Sequence, residues 1–436
     1  MDILIISYAY FPVLSPRAFR WTAIAEELSK LGHNVDVVCA SSANQPQEEV
    51  LNGVRIHRVG SGLRATIKRY LGFEETAVSS LLQNEKPTSI KKAWLAEFSK
   101  LVYLFSIKLI TWPDFAAMWY FGANKMSHNL AMRHTPNILI TSSLPYTCHL
   151  VGLSIKKTFD VHWIVDIGDP FSFTKTPPIN NLKLYSKINS LSEAKVLITA
   201  DAISVTTQET KDNYLNHFPK IDKDKIQVIP PLYSLMPRGV AFPRFFSGED
   251  KLRLVFAGTL YHDIRNPTPL LNLFERLLAT SVGECLELHF FGVVNDCAPC
   301  FVPFNKLIGV RLFLHGLKSR EIVQAAMQES TVLINLGNAT DYQLPSKVIE
   351  YLALGKPVLN ITQGSRNSSK IYFDDAQGIC SISVEDIFGG DGVSDKVAAF
   401  IKSPPSIDLE YMEQISSQYG PVSITKQYLR FFRESK

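Results

Sequence analysis

Short apolar runs alternate with stretches of helical spacing along almost the whole chain, and few architectures satisfy that alternation. Ile3 to Ser7 reads as a buried strand. After a loop, Arg17 to Leu31 carries Ile24, Leu28 and Leu31 at helical spacing before Gly32, a residue favoured just past a helix end. Val35 to Ala40 then reads as the next strand. The same βαβ start recurs at Ile138 to Thr141, Trp163 to Asp166, Ala202 to Thr206 and Ile226 to Ile229. Such a chain folds as a parallel, doubly wound sheet with helices on both faces.

Pro231 to Asp250 breaks the pattern, being rich in Pro, Gly and Ser with no clean periodicity. A second series of strands follows at Leu252 to Phe256, Leu286 to Phe291, Val310 to Leu314, Thr331 to Leu336 and Pro357 to Ile361. The chain has 436 residues, and a domain takes roughly 100–200, so length and pattern agree on two domains. The expected class is α/β, with two Rossmann-like doubly wound domains facing each other across a cleft. Residues 1–235 form the first and 250–415 the second. Residues 416–436, with the amphipathic stretch Ile424 to Arg433, are expected to pack back on the N-terminal domain.

Composition excludes several classes. Apolar residues make up 46% and charged residues 20%, the balance of a folded chain rather than a disordered one. The net charge is +4, from 45 Lys and Arg against 41 Asp and Glu, which is too mild for a nucleic-acid footprint. Six dispersed cysteines suit reduced thiols better than a disulfide framework. The N-terminus opens on a strand-like run with no basic region before it, so a cytoplasmic location is expected. No apolar stretch approaches the roughly 20 residues of a membrane-crossing helix. Between 90 and 113, however, Lys91, Lys92, Lys100 and Lys108 interleave with Trp94, Phe98, Leu101 and Phe105. That mixture fits a buried helix, or a basic amphipathic one at the inner face of a membrane.

The densest chemical signal is Thr331 to Ile361. A strand leads into a polar loop, Pro345 takes a first helical position, and Gly355 closes the helix before Pro357. The helix N-terminus then lies at the carboxyl edge of the sheet, where its N–H groups favour a phosphate. Lys347 and Glu350 share one face of that helix, either as an ordinary ion pair or as a cation for a diphosphate and a carboxylate for ribose hydroxyls.

The run Pro345-Ser346-Lys347-x-x-Glu350-Tyr351-x-Ala353-x-Gly355-Lys356-Pro357-Val358 resembles the donor-site signature of retaining glycosyltransferases of family four, which have the two-domain GT-B fold. Ser15-Pro16-Arg17 with the loop around it, Ile140-Thr-Ser-Ser-Leu-Pro-Tyr, Trp163-Ile-Val-Asp166-Ile-Gly-Asp169 and Phe256-Ala-Gly258-Thr-Leu resemble that family's other landmarks. The resemblance implies an enzyme that moves a sugar from a nucleotide diphosphate sugar to a hydroxyl acceptor with retention, in surface polysaccharide or glycolipid synthesis. It implies donor contacts from Gly258, Thr259, Arg265, Ser346, Lys347 and Glu350. Arg265, Lys347 and Asp169 would act at the reacting centre. Acceptor contacts would come from Ser15, Arg17, Asp166, Asp169 and His149, and Arg17 would suit a phosphorylated or lipid-linked saccharide.

The signature's first glutamate would fall at Tyr342, beside Asp341. Its absence keeps a non-catalytic nucleotide-sugar-binding or scaffold protein open as a reading, and a sugar-nucleotide epimerase shares the fold. A nicotinamide oxidoreductase fits less well, because the first βα turn, Tyr8 to Arg17, lacks glycine. No cofactor is expected beyond the nucleotide sugar as co-substrate. No metal is expected either, since Cys297-Ala-Pro-Cys300 is only half of a zinc site and no second ligand pair accompanies it.

Overall fold

The computed structural model describes residues 1–60 apart from 14 and 42–44, 111–233 apart from 175–178, 244–338 apart from 249, then 346–363, 372–373 and 376–433 apart from 391. The basic aromatic segment 90–113 lies outside the described residues except for its last three positions, as do Asp341, Tyr342, Pro345 and the side chain of Ser346. Two compact units are present. The first holds the described residues up to 233 together with Pro421–Arg433, and the second holds those from 244 to 420.

In the first unit, β1 (Asp2–Ser7) leads to α1 (Pro16–Lys30), β2 (Asn34–Ala40), β3 (Glu48–Leu51) and β4 (Val54–Val59). Then come α2 (Trp119–Arg133), β5 (Ile138–Ser142), α3 (Thr147–Thr158), β6 (His162–Ile167), α4 (Leu182–Thr199), β7 (Ala202–Val205), α5 (Gln208–His217) and β8 (Ile226–Val228). The sheet order is β3-β4-β2-β1-β5-β6-β7-β8, parallel except for the β3–β4 hairpin. Strand order therefore reverses direction between β1 and β5, the switch point where open α/β sheets bind ligands at their carboxyl ends.

α1 begins as its sequence dictates. The Ser15 hydroxyl accepts from the Ala18 N–H at 3.2 Å, and Pro16 occupies the first turn, where its missing N–H costs nothing. Its inward face buries Trp21, Ile24, Ala25 and Leu28 against β1 and β2. The same face also buries Arg20, 4% exposed, a charge that demands a partner.

The second unit repeats the pattern with β9 (Leu252–Ala257), α6 (Thr268–Leu277), β10 (Leu286–Phe291), a 3₁₀ helix (Asn295–Leu307), β11 (Leu312–Leu314), α7 (Arg320–Glu329), β12 (Val332–Leu336), α8 (Ser346–Ala353), β13 (Val358–Thr362) and β14 (Ile379–Ser383). α9 (Val384–Gly389), α10 (Val393–Lys402) and α11 (Leu409–Tyr419) complete it. The all-parallel sheet runs β11-β10-β9-β12-β13-β14, with its switch point between β9 and β12. A buried amide ladder crosses this sheet, Asn335 donating to Asn360 at 2.7 Å and Asn360 to Ser381 at 3.1 Å.

The last helix, α12 (Pro421–Arg433), belongs to the first unit and packs on α1 through Ile424, Tyr428 and Phe431. No helix among the described residues is long and apolar enough to cross a membrane.

Candidate functional site

Each sheet gathers its polar residues at the carboxyl edge. In the first unit the centre is Asp166, at the end of β6 and 1% exposed. Tyr428 OH donates to its Oδ1 at 2.6 Å and the Ser204 hydroxyl at 2.8 Å. Trp21 Nε1 donates to its Oδ2 at 3.0 Å and the Ser142 hydroxyl at 3.3 Å. Burial alone would raise this carboxyl, but Arg20 and Arg17, with the hydroxyl donors, hold it below the ordinary carboxylate value. Asp166 is thus a fully engaged buried anion. The expectation that it contacts an acceptor does not fit this burial, since its oxygens are engaged by groups from α1, β5, β7 and α12.

Arg17 stands above this anion, with Nη1 3.6 Å from Asp166 Oδ2 and Nη2 3.9 Å from Asp169 Oδ2. Its side chain is 20% exposed and that of Asp169 30%. Its guanidinium lies across Gly168, where a Cβ would stand 0.6 Å from Nη2. Only glycine leaves that space, which explains the Ile-Gly-Asp order after β6. The loop beyond is held by Glu193, which is buried and accepts from the Phe171 and Ser172 N–H groups at 3.2 and 2.9 Å and from Tyr214 OH at 2.7 Å. Burial raises the Glu193 carboxyl despite these donors.

Two expected acceptor residues prove structural. Ser15 spends its hydroxyl on the α1 cap. His149, 2% exposed, pairs its Nδ1 with the Thr141 hydroxyl at 2.8 Å, and burial pulls it down to about 3, with nearby Asp166 opposing the shift. A neutral, enclosed imidazole does not titrate near neutrality, so its expected contact with acceptor as an acid or base is withdrawn. The start of α3, by contrast, is already occupied: Asp114 accepts from the Thr147 N–H at 2.9 Å and from its hydroxyl at 2.8 Å.

The second unit differs in charge. Gly258 and Thr259 follow β9, and Arg265 folds back over them, its Nη1 donating to the Thr259 carbonyl at 3.3 Å. Its Nη2 donates to Asn338 Oδ1 at 2.7 Å, bridging the ends of β9 and β12 across the switch point. A Cβ on Gly258 would lie 3.3 Å from Arg265 Nη1, so the glycine keeps the guanidinium's berth open. Among the described residues no carboxylate forms an ion pair with Arg265, and its Nε has no hydrogen-bond partner. Burial lowers its basicity, opposed only by the hydroxyls of Tyr351 and Tyr261.

Tyr351 docks α8 beside this arginine by donating to the Ala257 carbonyl at 3.4 Å. On the same helix Lys347 Nζ donates to Glu350 Oε2 at 2.5 Å, and the Lys347 and Glu350 side chains are 43% and 16% exposed. The two therefore meet as an ion pair.

Reading the sequence assigns no separate role to Arg20, Tyr428, Gly168, Glu193, Asp114, Asn338 or Tyr351. For Arg20 the signal was present: a charge three residues after Arg17 on an otherwise apolar helix face. For Tyr428 there was none, since it lies 262 residues from Asp166. No group of three or more metal-ligating side chains occurs among the described residues.

Residues 18–231 match the family described as the glycosyl transferase 4-like domain. No curated protein matches the sequence. Among solved structures, sucrose-phosphate synthase from Thermosynechococcus elongatus superposes with a TM-score of 0.64 at 13% identity, over 99% of this chain and 98% of that one. The catalytic domain of starch synthase IV from Arabidopsis thaliana, bound to ADP and acarbose, gives 0.59 at 10% over 100% and 99%. HepE from Anabaena, in complex with UDP-glucose, gives 0.57 at 10% over 100% of both chains.

Proposed function

Because residues 18–231 belong to the glycosyl transferase 4-like domain family and the whole chain carries the GT-B fold of glycosyltransferases, we propose that it transfers a sugar from a nucleotide diphosphate sugar to a hydroxyl acceptor. The observation that carries this reading is Arg265: a buried cation at the switch point of the second sheet, without an acidic partner among the described residues. A diphosphate is the complement such a charge lacks.

The chemistry follows from where charge develops. Breaking the bond between the sugar's anomeric carbon and the diphosphate leaves negative charge on the leaving oxygen. A guanidinium already fixed by Asn338 and the Thr259 carbonyl stabilises that charge without reorganising. Nucleotide binding separates Lys347 from Glu350, turning the carboxylate to the ribose hydroxyls and the ammonium to the phosphates, with the Ser346 turn beginning the helix below them. On the first unit, Asp169 accepts from the acceptor hydroxyl, and Arg17, pinned by Asp166 over Gly168, orients it. The finer reading is retention of anomeric configuration, a saccharide or lipid-linked acceptor of surface polysaccharide or glycolipid synthesis, and contact of segment 90–113 with a membrane's inner face. Support for it comes from the donor-like signature around Glu350 and the basic aromatic composition of that segment.

Calorimetric titration with UDP, GDP, dTDP and NAD tests the donor class. Selective binding of one nucleoside diphosphate is expected, and binding of none, or of NAD alone, contradicts the proposal. Incubation of the matching nucleotide sugar with hydroxyl acceptors should then release nucleoside diphosphate and a glycosylated product. Binding without turnover would make the chain a scaffold, and an epimerised sugar formed without acceptor would make it an epimerase.

A further inference from the structure

The Cys297-Ala-Pro-Cys300 pair opens the 3₁₀ helix Asn295–Leu307, where Pro299 and Pro303 lack the N–H donors that a regular α-helix would use. At three residues per turn, side chains at i and i+3 stand one above the other, roughly 6 Å apart along the axis, within the ~4.4–6.8 Å Cα separation of a disulfide. Both cysteines are free thiols. Cys297 is fully buried, whereas Cys300 is half-buried and reaches solvent.

The pair also braces the loop that carries Arg265. Cys300 Sγ lies 3.8 Å from Asn266 Oδ1, which in turn accepts from the N–H of Thr268, the first residue of α6, at 2.9 Å. Asp296 accepts from the His262 N–H at 3.1 Å, and Asn295 Nδ2 donates to the Leu260 carbonyl at 2.8 Å. Movement of the first turn of this helix is therefore felt along residues 260–268.

We propose that Cys297 and Cys300 form a thiol modification site, closed to an intramolecular disulfide by a low-molecular-weight disulfide and coupled to the order of the 260–268 loop. Cys300, the accessible thiol, attacks as thiolate. Its sulfur bonds to one sulfur of the oxidant, whose S–S bond breaks and releases the first thiolate. Cys297 then passes its proton to solvent through Asp296, whose Oδ1 lies 3.9 Å from its sulfur, and attacks the Cys300 sulfur, expelling the second thiolate. Two electrons pass to the oxidant, one disulfide forms in the chain, and two small thiols are released. Burial, with Asp296 and Cys300 beside it, pushes the Cys297 thiol up to about 12, so the second step is the slow one.

The full-length reduced chain, treated with oxidised glutathione, is followed by intact mass, peptide mapping after alkylation, and hydrogen exchange. The expected result is a mass about 2 Da lower, mapped to a Cys297–Cys300 link, with exchange at residues 260–268 accelerated about fivefold or more. Cys297→Ala should stop at a stable glutathione adduct on Cys300, and Cys300→Ser should give neither adduct nor link. A wild-type chain that stops at the adduct, does not react, or closes without change in loop exchange overturns the proposal. If Cys297→Ala fails to fold, the wild-type mapping and Cys300→Ser still decide. Neither readout uses a nucleotide, so failure here is distinct from failure of the transferase reading.

Discussion

Two arginines stand at the carboxyl edges of the two sheets, and they are prepared for opposite tasks. Arg17 in the first unit is 3.6 and 3.9 Å from two aspartates, one of them buried and shared with Arg20. Arg265 in the second is held by an amide and a backbone carbonyl, with no carboxylate pairing it among the described residues. The first arrangement presents balanced charge and suits a neutral hydroxyl. The second presents a buried cation without an ion-paired carboxylate among the described residues, and suits an anion. The lesson is that a basic residue at a sheet edge is not by itself a phosphate site; its counter-ions decide.

The largest effect should come from cutting the first unit's anchor. Asp166→Ala leaves Arg20 and Tyr428 without their acceptor and should cost about 3–5 kcal/mol of stability in urea unfolding. A loss under about 1 kcal/mol would show that the arginines there are not held by charge.

Next, Gly168→Ala drives a methyl into the tip of Arg17 and should push its guanidinium off Asp166 and Asp169. Acceptor KM should rise while nucleoside diphosphate affinity stays unchanged. Weakening of acceptor and nucleotide binding together would break the division of labour.

The smallest effect is one of pH. His289 and His315, stacked near the Arg253 guanidinium and pairing at 3.1 Å, are both held down to about 4, by burial and then by the neighbouring charges. Between pH 6.5 and 4 the unfolded chain binds protons that the folded chain refuses, so stability falls as pH falls through that window. The loss should be about 1–2 kcal/mol, after discounting for the half-buried His315. The pair His289→Gln and His315→Gln should flatten that slope in thermal melts, and an unaltered slope would assign it elsewhere. His149 in the first unit adds a slope of the same sign, its ring being held down to about 3 by burial.

Much of the fold was legible because its elements are local. Gly32 marks the end of α1 in the sequence as in the structure, where it has φ +83°, whereas Ser15, read as an acceptor contact, proves to be the cap that begins it. The β3–β4 hairpin went unread although its turn, Asn52-Gly53, adopts φ of 50° and 80° and is a strong local signal. β14 went unread because five residues of mixed pattern, Ile379–Ser383, carry too little periodicity. In the site, Arg265 was visible through its neighbours Gly258 and Thr259, and the pairing of Lys347 with Glu350 through their spacing. Asp166 was misread for a physical reason. Position at a strand end marks the edge of the sheet, but whether a side chain there meets solvent depends on what covers it. The cover is Tyr428, supplied by the last helix of the chain.

The most direct test of the central claim is calorimetric titration of a nucleoside diphosphate into the wild type, Arg265→Ala and Arg17→Ala side by side. Arg265→Ala should lose about 1.5–3 kcal/mol of binding, roughly 10- to 150-fold, while Arg17→Ala should bind within about twofold of wild type. Equal losses in both variants, or a loss confined to Arg17→Ala, would contradict the assignment of the diphosphate to Arg265.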